Sequence, residues 1–281
     1  MTLPLLSLPT SCSLAAVFTW GASDFLGGYA ARRANAFVLT AIAHISGLLL
    51  MAGVAVASHS PFPSRAAVAW ALIGGLSGGG ALAIFYRALA TGRMGLTAPV
   101  AAVLGAAIPT VFGIFREGLP QAAQVAGFVL APMGIWLISR SEDDSHPEGI
   151  GMAALAGVGF AGYYLCVKQA GDSSAFWIAA VSKVASFTLT GIIVLVGRSA
   201  RQIDRRGIAF GALAGCLDIT GSVLFIRAAQ TGRLDAAVVL SSLYPAVTVL
   251  LARFFLREHF TRWKALGMAA ALLAVPMIAW R

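Results

Sequence analysis

The sequence predicts an all-α integral membrane protein of ten transmembrane helices, built as two inverted five-helix repeats. Three observations predict it. Hydrophobic residues make up 59% of the chain and charged residues 11%, less than half of the roughly 25% charged share usual in soluble domains. The apolar residues fall into runs close to the roughly 20 residues that a helix needs to cross about 30 Å of hydrocarbon. The stretch Tyr86-Arg87-Ala88-Leu89-Ala90-Thr91-Gly92-Arg93-Met94 returns as Ile226-Arg227-Ala228-Ala229-Gln230-Thr231-Gly232-Arg233-Leu234, an offset of 140 residues. Each copy leads through a long apolar run to an Arg-Glu pair, Arg116-Glu117 and Arg257-Glu258. Five spans per unit is an odd number, so the two units enter the membrane with opposite orientation. The runs lack the strict alternation of a membrane strand, which disfavours a barrel.

The first span is expected at 13–31. Met1 to Cys12 hold no positive charge, and the run continues to Ala31 without an obvious cleavage site, so it reads as a retained helix rather than a secretory signal. Asp24 lies in its middle, with Trp20 one turn earlier on the same face. The second span, 37–57, contains His44. The third, 66–90, is rich in glycine from Gly74 to Gly80. In lipid, small residues four apart let helix backbones approach closely, so tight packing at the centre of each half is the leading reading and local unwinding at a site the other. No Gly-Lys-Ser/Thr follows, which excludes a phosphate loop. Spans at 95–115 and 120–138 complete a first unit, 1–140.

Residues 141–148 read as a solvated polar linker. Its Glu142, Asp143, Asp144, His146 and Glu148 resemble a cation site in composition, but a charge run in a Ser/Pro-containing loop is ordinarily just soluble. The sixth span, 149–168, brings Phe160 and Tyr164, the repeat counterparts of Trp20 and Asp24, together with Tyr163. The seventh, 175–197, holds Lys183, almost the counterpart of His44. The eighth, 207–230, holds Asp218 and a glycine cluster in which Gly215 is the counterpart of Gly75. Spans at 236–256 and 263–280 complete the second unit, 149–281.

The formal charge is +9. In so apolar a chain this reads as topology signal and lipid-headgroup contact, not nucleic-acid binding. Arg32, Arg33, Arg140, Arg198, Arg201, Arg205, Arg206, Arg262 and Lys264 fall in loops after odd-numbered helices, which on the positive-inside rule puts both termini outside. Cys12, Cys166 and Cys216 have neither the pairing nor the spacing of a disulfide framework or metal site. The Arg-Glu pairs, Arg87, Arg93, Arg227 and Arg233 read as architectural.

A charge near the bilayer centre costs at least about 2.5–3.5 kcal/mol, so such residues tend to line a polar pathway or pair with one another. Asp24, Asp218, His44 and Lys183 are of this kind. With the aromatic residues around them they describe a polar cavity between the repeats, and Trp20, Asp24, His44, Tyr163, Tyr164, Lys183 and Asp218 are the candidates for substrate binding or proton coupling. An acid among aromatic walls suits an organic molecule with a positive or amino group. The plainer readings are aromatic packing or interfacial belts, an Asp218–Lys183 structural pair, and a satisfied packing histidine at His44. Competition between substrate and proton at Asp24 would amount to antiport. No catalytic residue, cofactor or metal is expected.

Trp20-Gly21-Ala22-Ser23, the Arg87-Ala88 and Arg227-Ala228 steps, Leu243-Tyr244-Pro245-Ala246-Val247 and Arg257-Glu258, in this order and spacing, resemble the EamA-like branch of the drug/metabolite transporter superfamily. The resemblance covers essentially the whole chain. It implies a secondary transporter, often an exporter, of small metabolites with a central cavity between two repeats and with cytoplasmic termini, against the basic-residue count. Expected partners are a small-molecule substrate, protons and the lipid bilayer, with the chain a monomer or homodimer in a bacterial inner membrane. An intramembrane enzyme or flippase acting on a lipid-linked substrate is the first competing class, but no His-Glu-x-x-His helix is present, and the Gly-x-Ser-x-Gly string at Gly75–Gly79 lies inside the third span rather than on a strand-to-helix elbow. A passive channel is the other.

Overall fold

The structure is a computed structural model and describes residues 7–92, 94–139, 148–197, 204–257 and 261–279. The linker as far as Pro147, with Arg93, Arg140, Arg198, Arg201, Glu258 and Arg281, lies outside the described residues. Those described form helices without strands: α1 (Leu8–Ala31), α2 (Ala36–Ala57), α3 (Arg65–Thr91), α4 (Met94–Glu117), α5 (Ala122–Ser139), α6 (Ile150–Gln169), α7 (Ala175–Val196), α8 (Arg205–Thr231), α9 (Leu234–Ser241), α10 (Tyr244–Leu256) and α11 (Arg262–Ala279). Helix starts are set by ordinary caps. The Asn35 side chain accepts from the Phe37 and Val38 N–H groups, Ser64 from Ala67, and Asp204 from Gly207.

Seven of these segments are long and apolar enough to cross a membrane, with the stretch from Leu234 to Leu256 counted as one. Shorter apolar stretches occupy α5 and α11. Large apolar side chains such as Phe18, Leu49, Leu195, Phe254 and Leu272 point outward and are more than half exposed. A surface of this kind is stable against lipid and not against water.

The expected ninth span is broken. Pro245 has no N–H to give the Ser241 carbonyl, and α9 ends in a turn at Ser242 and Leu243 before α10 begins at Tyr244. Thr248 Oγ1 on α10 donates to the Gly21 carbonyl at 3.1 Å, tying α1 to the segment after the break.

Helices from the first half of the chain pack chiefly on helices from the second. α1 lies against α8, α3 against α6 and α7, α2 against α7 and α8, and α5 against α11. The glycine clusters therefore do their packing between halves, not at the centre of each. A Cβ on Gly75 of α3 would fall on the Ser182 backbone of α7, and one on Gly215 of α8 would fall on the Ala43 carbonyl of α2. Hydroxyls reinforce both contacts: Ser186 Oγ donates to the Gly75 carbonyl at 2.8 Å, and Ser46 Oγ to the Ala212 carbonyl at 3.0 Å. Gly75→Val is expected to cost about 1–3 kcal/mol through overpacking, read as a lowered Tm in detergent. Gly53→Ala, where nothing lies within 4 Å of the added Cβ, should leave Tm unchanged.

Candidate functional site

The helices meet around a cavity of about 50 Å³ in the interior. α1 supplies Trp20 and Asp24, α6 supplies Phe160, Tyr163 and Tyr164, α7 supplies Ser182, Lys183 and Ser186, α8 supplies Asp218 and Ser222, and α10 supplies Tyr244. Gly78, Gly79 and Leu82 of α3 close the remaining side. A Cβ on Gly78 would sit against Tyr163 and one on Gly79 against Ser186, so these glycines let α6 and α7 approach.

The aromatic wall is continuous. The Trp20 ring centroid lies 5.9 Å from Tyr164, 5.6 Å from Phe225 and 6.3 Å from Tyr244, the last edge-on. Tyr164 lies 5.9 Å from Tyr163 and 4.7 Å from Phe225. Gly221 leaves the space that the Trp20 indole fills. The indole N–H donates to the Asp218 main-chain carbonyl at 3.1 Å, and Ser222 Oγ donates to the same oxygen at 3.0 Å. These bonds fix the ring's position relative to α8.

The charges are unevenly matched. Lys183 Nζ contacts Asp218 Oδ2 at 2.5 Å, with both side chains nearly buried. Asp24 is 6% exposed and makes no hydrogen bond or ion pair among the described residues. Beside it in sequence, Ser23 Oγ donates to the Ala214 carbonyl at 2.8 Å and lies 3.2 Å from the Tyr86 hydroxyl, which then donates to Ser23. Two carboxylates and one ammonium leave one carboxylate uncompensated.

Six of the seven candidates line this one cavity: Trp20, Asp24, Tyr163, Tyr164, Lys183 and Asp218. His44 does not. It is fully buried on α2, its Nε2 lies 3.4 Å from the Gly79 carbonyl, and its Nδ1 has no partner among the described residues. A carbonyl only accepts, so Nε2 carries the hydrogen. Ser182, Ser186 and Ser222 are not among the sequence candidates, and Tyr244 enters there only within the family motif, not as a site residue. A lone serine in an apolar run gives no signal, whereas the Tyr-Pro step at 244–245, which breaks the helix at the cavity wall, could have pointed to the last.

Residues 147–280 match the EamA-like transporter family. An uncharacterized protein of Methanocaldococcus jannaschii is 28% identical over 102 residues, which is 36% of this chain and 73% of that protein. A protein crystal structure with 18% identity superposes with a TM-score of 0.74 over 96% of this chain and 95% of its own, which shows a shared fold.

Proposed function

We propose, from the match of residues 147–280 to the EamA-like transporter family of the drug/metabolite transporter superfamily, that the chain is a secondary active exporter of a small, amino-bearing or cationic organic metabolite. It crosses a bacterial inner membrane ten times, as inverted repeats at 1–140 and 149–281 joined by the 141–148 linker, and works by alternating access coupled to protons. The pairing of helices supports the repeats. Under the 140-residue offset α1 maps to α6 and α3 to α8, so the α1–α8 and α3–α6 contacts exchange, and the α2–α7 contact maps onto itself.

The observation that carries the reading is Asp24, a buried carboxylate without a counter-ion among the described residues, in an aromatic-walled cavity between α1, α6, α8 and α10. A lone carboxylate inside a membrane protein costs several kcal/mol. Either a proton or a cationic group relieves that cost, and one site that takes one or the other is an exchanger. The aromatic faces favour a cation of organic type. At about 50 Å³ the cavity is far below the roughly 300 Å³ and upward of small-molecule pockets, so the helices must part to admit substrate.

The test is a thermal-shift panel of amino acids, polyamines, cationic drugs and sugar phosphates on detergent-purified protein. The reading expects saturable stabilisation by an amino-bearing or cationic compound, following mass action. Stabilisation by sugar phosphates alone would refute the substrate class.

A further inference from the structure

A second cavity, of about 380 Å³, lies at the end of the bundle where α1 begins, between the first turns of α1 and α9, the α4–α5 connection and the last turn of α11. Its lining is polar on the α1 and α5 sides, with Thr10, Ser13, Gln121 and Gln124. Ser13 is fully buried and its Oγ has no partner among the described residues.

Thr10, Ser13, Val17, Trp20 and Asp24 follow one another at spacings of three or four and so share one face of α1. All five are buried. The face that borders the outer cavity is thus the face that bears Asp24. On the facing wall, Leu240 of α9 borders the outer cavity and Tyr244 of α10 borders the central one. Between them lies the break at Ser242 and Leu243. From Ser13 to Trp20 the separation along α1 is about 10 Å, filled by Val17 and by the Trp20 ring standing edge-on to Tyr244.

At the opposite end α6 takes the place of α1 under the 140-residue offset, with Ala153 for Ser13 and Gly157 for Val17. There the fit is close. Ala153 and Ala156 are fully buried, and a Cβ on Gly157 would lie 2.7 Å from the Ala101 carbonyl and 2.8 Å from Leu104 Cβ on α4. Hydroxyls and space mark one end, and methyls in contact mark the other.

We propose that the outer cavity is the access vestibule of the substrate path. Val17, Trp20 and Tyr244 plug it, and the break at Ser242–Leu243 is the hinge on which α9 swings to open it. This rests on the transport reading above. Besides hydroxyls, amides and apolar walls the cavity is bordered by Arg233, whose guanidinium is held on both Asp235 carboxylate oxygens. Such a lining admits a polar solute still partly hydrated, and the Trp20 indole, bonded to the Asp218 carbonyl, moves only by releasing α8.

The test uses a background with Cys12, Cys166 and Cys216 each replaced by serine, into which Ser13→Cys or Ala153→Cys is introduced. Sealed vesicles of each orientation are exposed to a membrane-impermeant, charged methanethiosulfonate reagent. Ser13→Cys should react from the face where α1 begins, at least about tenfold faster than Ala153→Cys, because the former borders a cavity and needs only the swing of α9 to meet water. Pro245→Ala restores the N–H that the break lacks and should slow Ser13→Cys labelling several-fold. Thr10→Cys, one turn nearer the opening, must react from the same face and replaces Ser13→Cys if that variant does not fold. Equal rates for Ser13→Cys and Ala153→Cys, or reaction of Ser13→Cys only from the other face, would overturn the vestibule. Indifference to Pro245→Ala would overturn the hinge. Labelling needs no substrate, so a failed transport assay alongside the expected labelling would count against the transport reading alone.

Discussion

Asp24→Asn is expected to leave the protein folded and to abolish the pH dependence of substrate binding. Asparagine has the shape of aspartate, and the native carboxylate has no cation among the described residues to lose, so no buried partner is orphaned. What disappears is the charge. A charge-assisted hydrogen bond is worth about 1.5–3 kcal/mol, so affinity for a cationic substrate should fall roughly ten- to a hundredfold. The sign with pH follows from competition. In the wild-type protein a proton on Asp24 excludes the cation, so binding weakens as pH falls, by up to about tenfold per unit where binding displaces one proton. In Asp24→Asn the curve should be flat. Titration calorimetry or thermal shift at acidic and neutral pH reads both quantities, and a variant that keeps the wild-type slope removes Asp24 from the coupling site.

Lys183→Met is expected to produce the largest loss of stability of any single substitution in the cavity. It leaves Asp218, 9% exposed, facing no ammonium. Removing one partner of a buried ion pair costs about 3–5 kcal/mol, whereas replacing both by apolar groups is often neutral. Lys183→Met combined with Asp218→Leu should therefore recover most of the Tm lost in the single variant, measured in the same detergent. A double variant no better than the single one would mean that Lys183 is held by something other than Asp218. If the pair is structural and Asp24 the working acid, the double variant should also retain some pH-dependent binding.

Most of the helical plan was legible because lipid imposes length. The expected second, third, sixth and seventh spans end within one residue of α2, α3, α6 and α7. The first span, expected from residue 13, begins at Leu8, because Pro9, Thr10 and Ser11 look like a polar flank, yet Pro9 and Thr10 line the outer cavity with Ser13. The break after Ser241 was missed because hydropathy does not register a missing N–H, and Pro245 lies in an otherwise apolar run. The glycine clusters signalled close approach, but not against what. That depends on which helices are neighbours, and α3 meets α7 only in three dimensions.

The site was legible where it was charged. Asp24, Lys183 and Asp218 are conspicuous because charge inside a membrane is costly, and Trp20 and Tyr164 follow from helical spacing and the repeat. The Lys183–Asp218 pair was one of the two readings open for Asp218, and its formation leaves Asp24 without a counter-ion among the described residues. His44 drew notice for the same reason as Lys183, but its ring is turned to the Gly79 carbonyl behind the cavity wall.

The most direct test of the central claim, that one cavity around Asp24 binds substrate and proton in turn, is counterflow in proteoliposomes. Vesicles are loaded with the most stabilising amino-bearing compound from the thermal-shift panel, and a trace of the labelled compound is added outside. The account predicts transient accumulation of label in the wild-type protein, faster at neutral than at acidic pH, and its loss in Asp24→Asn. Flux that neither saturates nor accelerates with unlabelled compound on the far side would contradict it and point to a passive pore.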